Sequence, residues 1–217
     1  MTTFKLSPSS LSLMHECPRC FWLKQHKIWP RPSTPFPQLP NGMDRVLKTH
    51  FDKFRDNGML PPEIRDHRHT VGLKLFGDKE LIGLWRSRKG IQWEDKNGNI
   101  LHGAVDNLLM NGKKMVVLDY KTKGGPLKDE AEAGDYSQNQ LDFYNFLLRK
   151  NNYETEDYAF LLFYYPKEVL ETGEVIFDTV LARREINVKN AEKIFNKALK
   201  LLSNRCPKKI CVWCEGR

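Results

Sequence analysis

No cysteine falls between Cys20 and Cys206 in this 217-residue chain. The five present sit at the ends: Cys17 and Cys20 near the start, Cys206, Cys211 and Cys214 near the finish. An odd count with nothing in the middle is not a disulfide framework. No apolar run approaches the roughly 20 residues of a membrane span. The opening Met1-Thr2-Thr3-Phe4-Lys5-Leu6 has no long apolar core behind a basic start, so no secretory signal is read there. Internal repeats and low-complexity tracts are missing too. With 40% hydrophobic and 11% aromatic residues, the composition is not that of a disordered chain. These absences predict a soluble, cytoplasmic protein with no membrane association, long enough to bury a core without disulfides.

Acidic residues are outnumbered, 27 against 35 basic ones, for a net charge of +8. Such a balance favours a polyanionic partner, nucleic acid being the commonest. The length fits a single domain over 1–217, with helical, cysteine-bearing termini at 1–60 and 187–217 around a core at 70–186. Leu6–Gln25 reads as a short entry followed by a helix that Ser7 or Ser9 could cap, and apolar periodicity predicts helices over Met43–Asn57, Tyr136–Lys150 and Val188–Leu202. Trp29–Pro40 holds five prolines and reads as an extended connector. Strands are predicted at Val71–Phe76, Leu81–Trp85, Ile91–Glu94, Ile100–Met110, Lys114–Lys121, Tyr158–Tyr165 and Glu174–Ile186. Asn111-Gly112 marks a hairpin between two of them. The order implies an α/β fold, a mixed β-sheet flanked by helices.

The chemistry lies in Gly103-Ala104-Val105-Asp106 and Val116-Val117-Leu118-Asp119-Tyr120-Lys121. Alternate side chains of a strand share a face, so Asp119 and Lys121 point the same way, with the Tyr120 carbonyl between them. Asp106, on the preceding strand, can bring in a second carboxylate. Magnesium and manganese take oxygen ligands, and Asp106, Asp119 and the Tyr120 carbonyl suit them. Lys121 would then orient a water or steady charge developing on a phosphate. A bare D-x-K is common; G-x-x-D on the strand before it makes the pattern far more specific.

Together these residues resemble the second and third motifs of PD-(D/E)XK nucleases of the RecB type, which include the CRISPR-associated RecB-like exonucleases. Gln140-Leu141-Asp142-Phe143-Tyr144 matches a further Q-x-x-x-Y motif, and Ser9-x-Leu11 with Cys17-Pro18-Arg19 resembles the group's start. The resemblance implies a restriction-endonuclease-like core and a Mg²⁺- or Mn²⁺-dependent DNA exonuclease. Asp106, Asp119, Lys121, Gln140 and Tyr144 would form its active site. The alternative is a catalytically inactive nucleic-acid-binding subunit of the same fold. Protein partners in DNA repair or CRISPR-type systems are a further implication. The family's histidine, on an early helix a few residues after a glycine, has no direct counterpart. After Gly42, Asp44 comes too early and His50 too late; His50 is the expected additional metal ligand, Asp44 its substitute.

Two C-x-x-C pairs at opposite ends look like a four-thiolate metal site joining the termini. Zinc accepts such a set tetrahedrally. The resemblance implies instead a [4Fe–4S] cluster on Cys17, Cys206, Cys211 and Cys214. The rival set is Cys17, Cys20, Cys211 and Cys214. For nucleic acid, Lys123 is the expected DNA contact. Lys24, Lys27, Arg86, Arg88, Lys89, Lys121 and Lys128 are further candidates for a phosphate path. Trp22, Trp29, Trp85 and Trp93 are candidate stacking platforms, although tryptophans usually pack.

Overall fold

A computed structural model describes residues 2–32, 38–127, 132 and 134–216, with backbone alone at 134–136. The middle of the proline connector (33–37) and Lys128 lie outside the described residues. The chain opens with β1 (Lys5–Leu6), α1 (Pro8–Glu16) and α2 (Pro18–Gln25). Ser7 caps α1, one of the two caps expected, but the single helix expected to follow the short entry as far as Gln25 is two. It breaks at Cys17, which is extended at φ −153° and ψ 105°, because a residue before proline is pushed out of the helical region. Cys17 then caps α2, its Sγ accepting the Cys20 N–H at 3.4 Å.

Helix α3 (Gln38–Asp56) starts ahead of the expected Met43 and takes Pro40 into its first turn, where no helical N–H bond is lost. A short α4 (Pro62–Arg65) follows. Of the strand expected over Val71–Phe76, only β2 (Lys74–Leu75) is paired. Leu81–Trp85 is not a strand: it lies within α5 (Lys79–Arg86). Asp78 caps that helix, accepting the Leu81 N–H at 2.9 Å, and Ile82 and Trp85, three apart, form its buried side. A short apolar run is ambiguous between the two periods, and here the cap decides it.

Strands β3 (Ile91–Glu94), β4 (Ile100–Gly103), β5 (Asn107–Asn111) and β6 (Lys114–Thr122) come next. The continuous strand expected over Ile100–Met110 is broken at 104–106. Its first half joins a three-stranded sheet in the order β1-β4-β3. Its second half joins a five-stranded sheet completed by β7 (Tyr158–Val169) and β8 (Val175–Glu185), in the order β2-β5-β6-β7-β8. The hairpin at Asn111-Gly112 forms, with Asn111 opposite Lys114 and Gly112 at φ 56°. Helix α6 (Gly134–Lys150) precedes β7, and α7 (Val188–Leu202) closes the fold.

Strand pairing is antiparallel for β5–β6 and β7–β8 but parallel for β6–β7. The larger sheet is buried on both faces. Val117, Leu161 and Phe163 face one core, shared with α6, α7, α1 and α2. Val116, Leu118, Tyr120, Phe160 and Leu162 face the other, against Leu47 and Phe51 of α3. Period-two alternation therefore puts Asp119 and Lys121 on the α6 side and Tyr120 on the α3 side. This is a mixed α/β fold of two mixed sheets flanked by helices. Among the described residues, no helix is long and apolar enough to cross a membrane.

Candidate active site and thiolate cluster

Asp119 sits in mid-sheet on β6, 1% exposed. Its Oδ2 lies 2.5 Å from the Lys121 ammonium but accepts no well-aligned hydrogen bond. Asp106 is not on a strand: it occupies the bend where the chain leaves β4 for β5. The bend still delivers its carboxylate, because β5 stops pairing with β6 at Asn107–Leu118. Past that point Asp106 Oδ2 accepts the Tyr120 N–H at 3.0 Å, in place of a strand. In an extended strand the N–H and C=O of one residue face the same side. The Tyr120 carbonyl therefore opens onto the gap that Asp106 fills. Burial first, and then the neighbouring Asp106 carboxylate, push the Asp119 carboxyl up to about 7, against the pull of Lys121.

Gln140 and Tyr144, four apart on α6, lie over this pair. The Gln140 Oε1 accepts from Lys121 Nζ at 3.1 Å, and its Nε2 donates to Asp119 Oδ1 at 3.2 Å. An ammonium only donates and a carboxylate only accepts, so this orientation of the amide is the one that satisfies both. Its Nε2 also donates to the Tyr144 hydroxyl at 2.6 Å. Burial and then the Asp119 charge hold the Tyr144 hydroxyl well above its ordinary pKa, so it stays neutral. Gly103 makes room for that ring, since a Cβ there would stand 2.8 Å from Tyr144 Cε1. Gln140→Ala releases Lys121 and one oxygen of Asp119 together. The expected result is a fall in kcat of between about ten- and a hundredfold, read in a single-turnover assay, with the far-UV circular dichroism spectrum unchanged.

His50 does not join the site. Its Nε2 meets Glu63 at 3.0 Å and its ring packs on Phe54, while Glu63 also accepts the Tyr164 hydroxyl at 2.7 Å. One turn of α3 puts Asp44, not His50, toward Asp106. Lys48 bridges them, 2.8 Å from Asp44 and 3.2 Å from Asp106. Although partial burial works against its charge, the Asp106 and Asp44 carboxylates keep the Lys48 ammonium charged, above its ordinary pKa. Sequence reading passed over Lys48; its i,i+4 spacing from Asp44 was the available signal.

Behind the bend, Arg86 Nε donates to the Asp106 carbonyl at 2.7 Å and its Nη1 to Asp52 at 2.8 Å. Arg55, 1% exposed, donates to Asn107 Oδ1 at 2.6 Å, and Asn107 Nδ2 donates to the Tyr120 hydroxyl at 2.6 Å. Arg86 is therefore an internal prop of the bend and faces no phosphate path. The tryptophans pack as well. Trp85 stacks on Phe76, Trp93 meets Phe146 and Phe195 edge-on, and Trp22 stacks on His26. Lys123, one residue beyond β6, pairs with Glu132 at 2.9 Å.

The donor set fits a hard divalent cation. Two carboxylates and one carbonyl converge, and burial, with Asp106 adding to it, disfavours the Asp119 charge that a cation would stabilise. Beside Gln140 and Tyr144 opens a cleft of about 650 Å³, running between α1 and α6 past Gly103 and Ala104. Its walls mix polar groups, among them Ser9, His15, Glu16, Arg88 and Asn139, with the apolar Pro8, Leu11 and Phe143.

At the other end of the fold, Cys17, Cys20, Cys211 and Cys214 have all their sulfurs within 4.8 Å of one another. Cys206 stands outside this group, its Sγ accepting from Arg19 Nη1 at 3.3 Å. The cluster expected on Cys17, Cys206, Cys211 and Cys214 is therefore replaced by the rival set. The reason is the kink at Cys17, which puts Cys20 in the first turn of α2 beside it.

Among solved structures, that of SSO0001 covers 96% of this chain and 81% of its own, at 13% identity and a TM-score of 0.43, too low for any inference from it. No curated protein matches significantly. The model of the PD-(D/E)XK nuclease superfamily matches residues 27–216, a span holding Asp106, Asp119, Lys121 and Gln140. The chain belongs to the PD-(D/E)XK nuclease superfamily.

Proposed function

We propose that this chain is a Mg²⁺- or Mn²⁺-dependent deoxyribonuclease that degrades DNA from its ends. Asp106, Asp119 and the Tyr120 carbonyl would hold the ion, as one catalytic unit over 1–217. The observation that carries this reading is the meeting of two carboxylates, an inward-facing carbonyl and the Lys121 ammonium at the end of β5–β6 pairing. When bound, such an ion polarises a phosphate oxygen and lowers the pKa of its water.

The chain's own groups do the rest. Lys121, fixed by Gln140, orients the attacking water or neutralises charge gathering on the phosphate. Tyr144 closes the α6 side of the site against bulk water. Lys48 counters the charge of Asp106 from the α3 side. Action on ends is supported by the resemblance to RecB-like exonucleases at Gln140-x-x-x-Tyr144. A cleft of about 650 Å³ opens beside that pair. Lys123 is proposed as a phosphate contact, exchanging Glu132 for substrate.

Arg88 is exposed at the cleft wall. Arg88→Ala is expected to raise KM for DNA severalfold with kcat nearly unchanged, and to flatten the salt dependence of binding by about one phosphate contact. Steady-state assays at two salt concentrations check it. The main test incubates the protein with linear and covalently closed single-stranded DNA, labelled at either end, and with RNA, under Mg²⁺ and Mn²⁺. Linear DNA degraded from one end with circles spared supports the proposal. Binding without cleavage under every metal would overturn it in favour of an inactive binding subunit.

A further inference from the structure

We infer that the four-cysteine site holds one tetrahedral zinc ion, on Cys17, Cys20, Cys211 and Cys214, rather than an iron–sulfur cluster. The argument is one of size. At a Zn–S bond of roughly 2.3 Å, the sulfurs of a tetrahedral tetrathiolate site stand about 3.8 Å apart. Here Cys17–Cys214 is 3.9 Å, Cys20–Cys211 is 3.5 Å and Cys211–Cys214 is 3.7 Å. The other pairs are also within 4.8 Å. In a [4Fe–4S] cluster each thiolate stands outward from its own iron, which spreads the four sulfurs to about 6 Å. The space between these cysteines takes one ion and not four irons with their sulfides.

Local backbone fits the same reading. In each C-x-x-C a main-chain N–H reaches a sulfur of the same pair: Cys20 N–H donates to Cys17 Sγ at 3.4 Å, and Cys211 N–H donates to Cys214 Sγ at 3.3 Å. Hydrogen bonds of this kind stabilise a metal-bound thiolate and fix its orientation. Cys17, Cys20 and Cys214 are buried, which closes the site to solvent as a structural ion requires. All four ligands come from protein, so no position is left open for substrate. The ion's work is to join α1 and α2 to the C-terminal segment. It holds α1 as a wall of the cleft, whatever reaction the cleft serves.

The test is elemental analysis, with acid-labile sulfide, on the full chain purified anaerobically from cells supplied with both iron and zinc. One zinc per chain without labile sulfide is expected. Replacing zinc by Co²⁺ is expected to give the intense visible d–d bands of a tetrahedral thiolate centre. Cys20→Ser is expected to lose the zinc and Cys206→Ser to keep it. Iron and sulfide near four each, metal lost from Cys206→Ser but kept by Cys20→Ser, or no bound metal at all would each overturn the assignment. Should Cys20→Ser not fold, the wild-type metal content and the cobalt spectrum still decide. None of these readouts uses nuclease activity, so they stand apart from the proposed reaction.

Discussion

Asp119→Asn is expected to lower DNA cleavage by at least about a thousandfold in Mn²⁺ while leaving the fold and DNA binding in place. The size follows from position. Asp119 is the most buried polar group of the site, and it touches the candidate ion position, Lys121 and Gln140 at once. Under the proposed reading, its removal takes away one ligand of the ion and frees Lys121 beside it. Asparagine keeps the shape and still accepts from Gln140, so a lost fold would not explain lost activity. The wild-type carboxylate is held in a place where burial and Asp106 disfavour its charge, so the neutral amide is well tolerated there. Asp66→Asn, an exposed carboxylate paired with its neighbour Arg65, serves as control and should cleave at the wild-type rate. Single-turnover cleavage of labelled DNA, after metal washing, reads the difference. An Asp119→Asn protein that matched wild type would remove the basis of the enzymatic reading.

Losing the thiolate-bound ion is expected to cost the fold more than any single core substitution. The site ties Cys17 to Cys214 across 197 residues of sequence. Closing a loop of that size restricts the unfolded chain by about 5 kcal/mol on the loop-entropy relation used for covalent cross-links. For a chain of this length that is a fall in Tm of roughly 10–20 °C. Calorimetry of chelator-treated protein, or of Cys17→Ser, should show that drop, while the same treatment of Cys206→Ser starts from a wild-type Tm. The core on the α3 side does not draw on the terminal helices, since Val116, Leu118, Phe160 and Leu162 pack there against Leu47 and Phe51. The metal-free protein should therefore keep most of its circular dichroism at 25 °C. A Tm unmoved by chelation, with the metal shown to be gone, would rule out a structural role.

The sequence by itself determined the chemistry at β6. Spacing of two put Asp119 and Lys121 on one face, whatever the neighbours. Spacing of four did the same for Gln140 and Tyr144 on α6, and apolar periodicity drew α7 to the residue. These are local rules, satisfied within one element. Only tertiary structure decided which distant groups meet them. Asp106 reaches β6 from a bend between two sheets, because β5 ends early and Gly103 lets the chain pass Tyr144. His50 and Asp44 lie on the same helix, and the docking of α3 on the sheet chose Asp44, through Lys48. Arg86 looked like a phosphate ligand and is a prop of the bend, since nothing in a sequence shows which way a long side chain turns. Cys20 displaced Cys206 because Pro18 forced a kink beside Cys17, and because the separation of four sulfurs is set by the docking of the two chain ends.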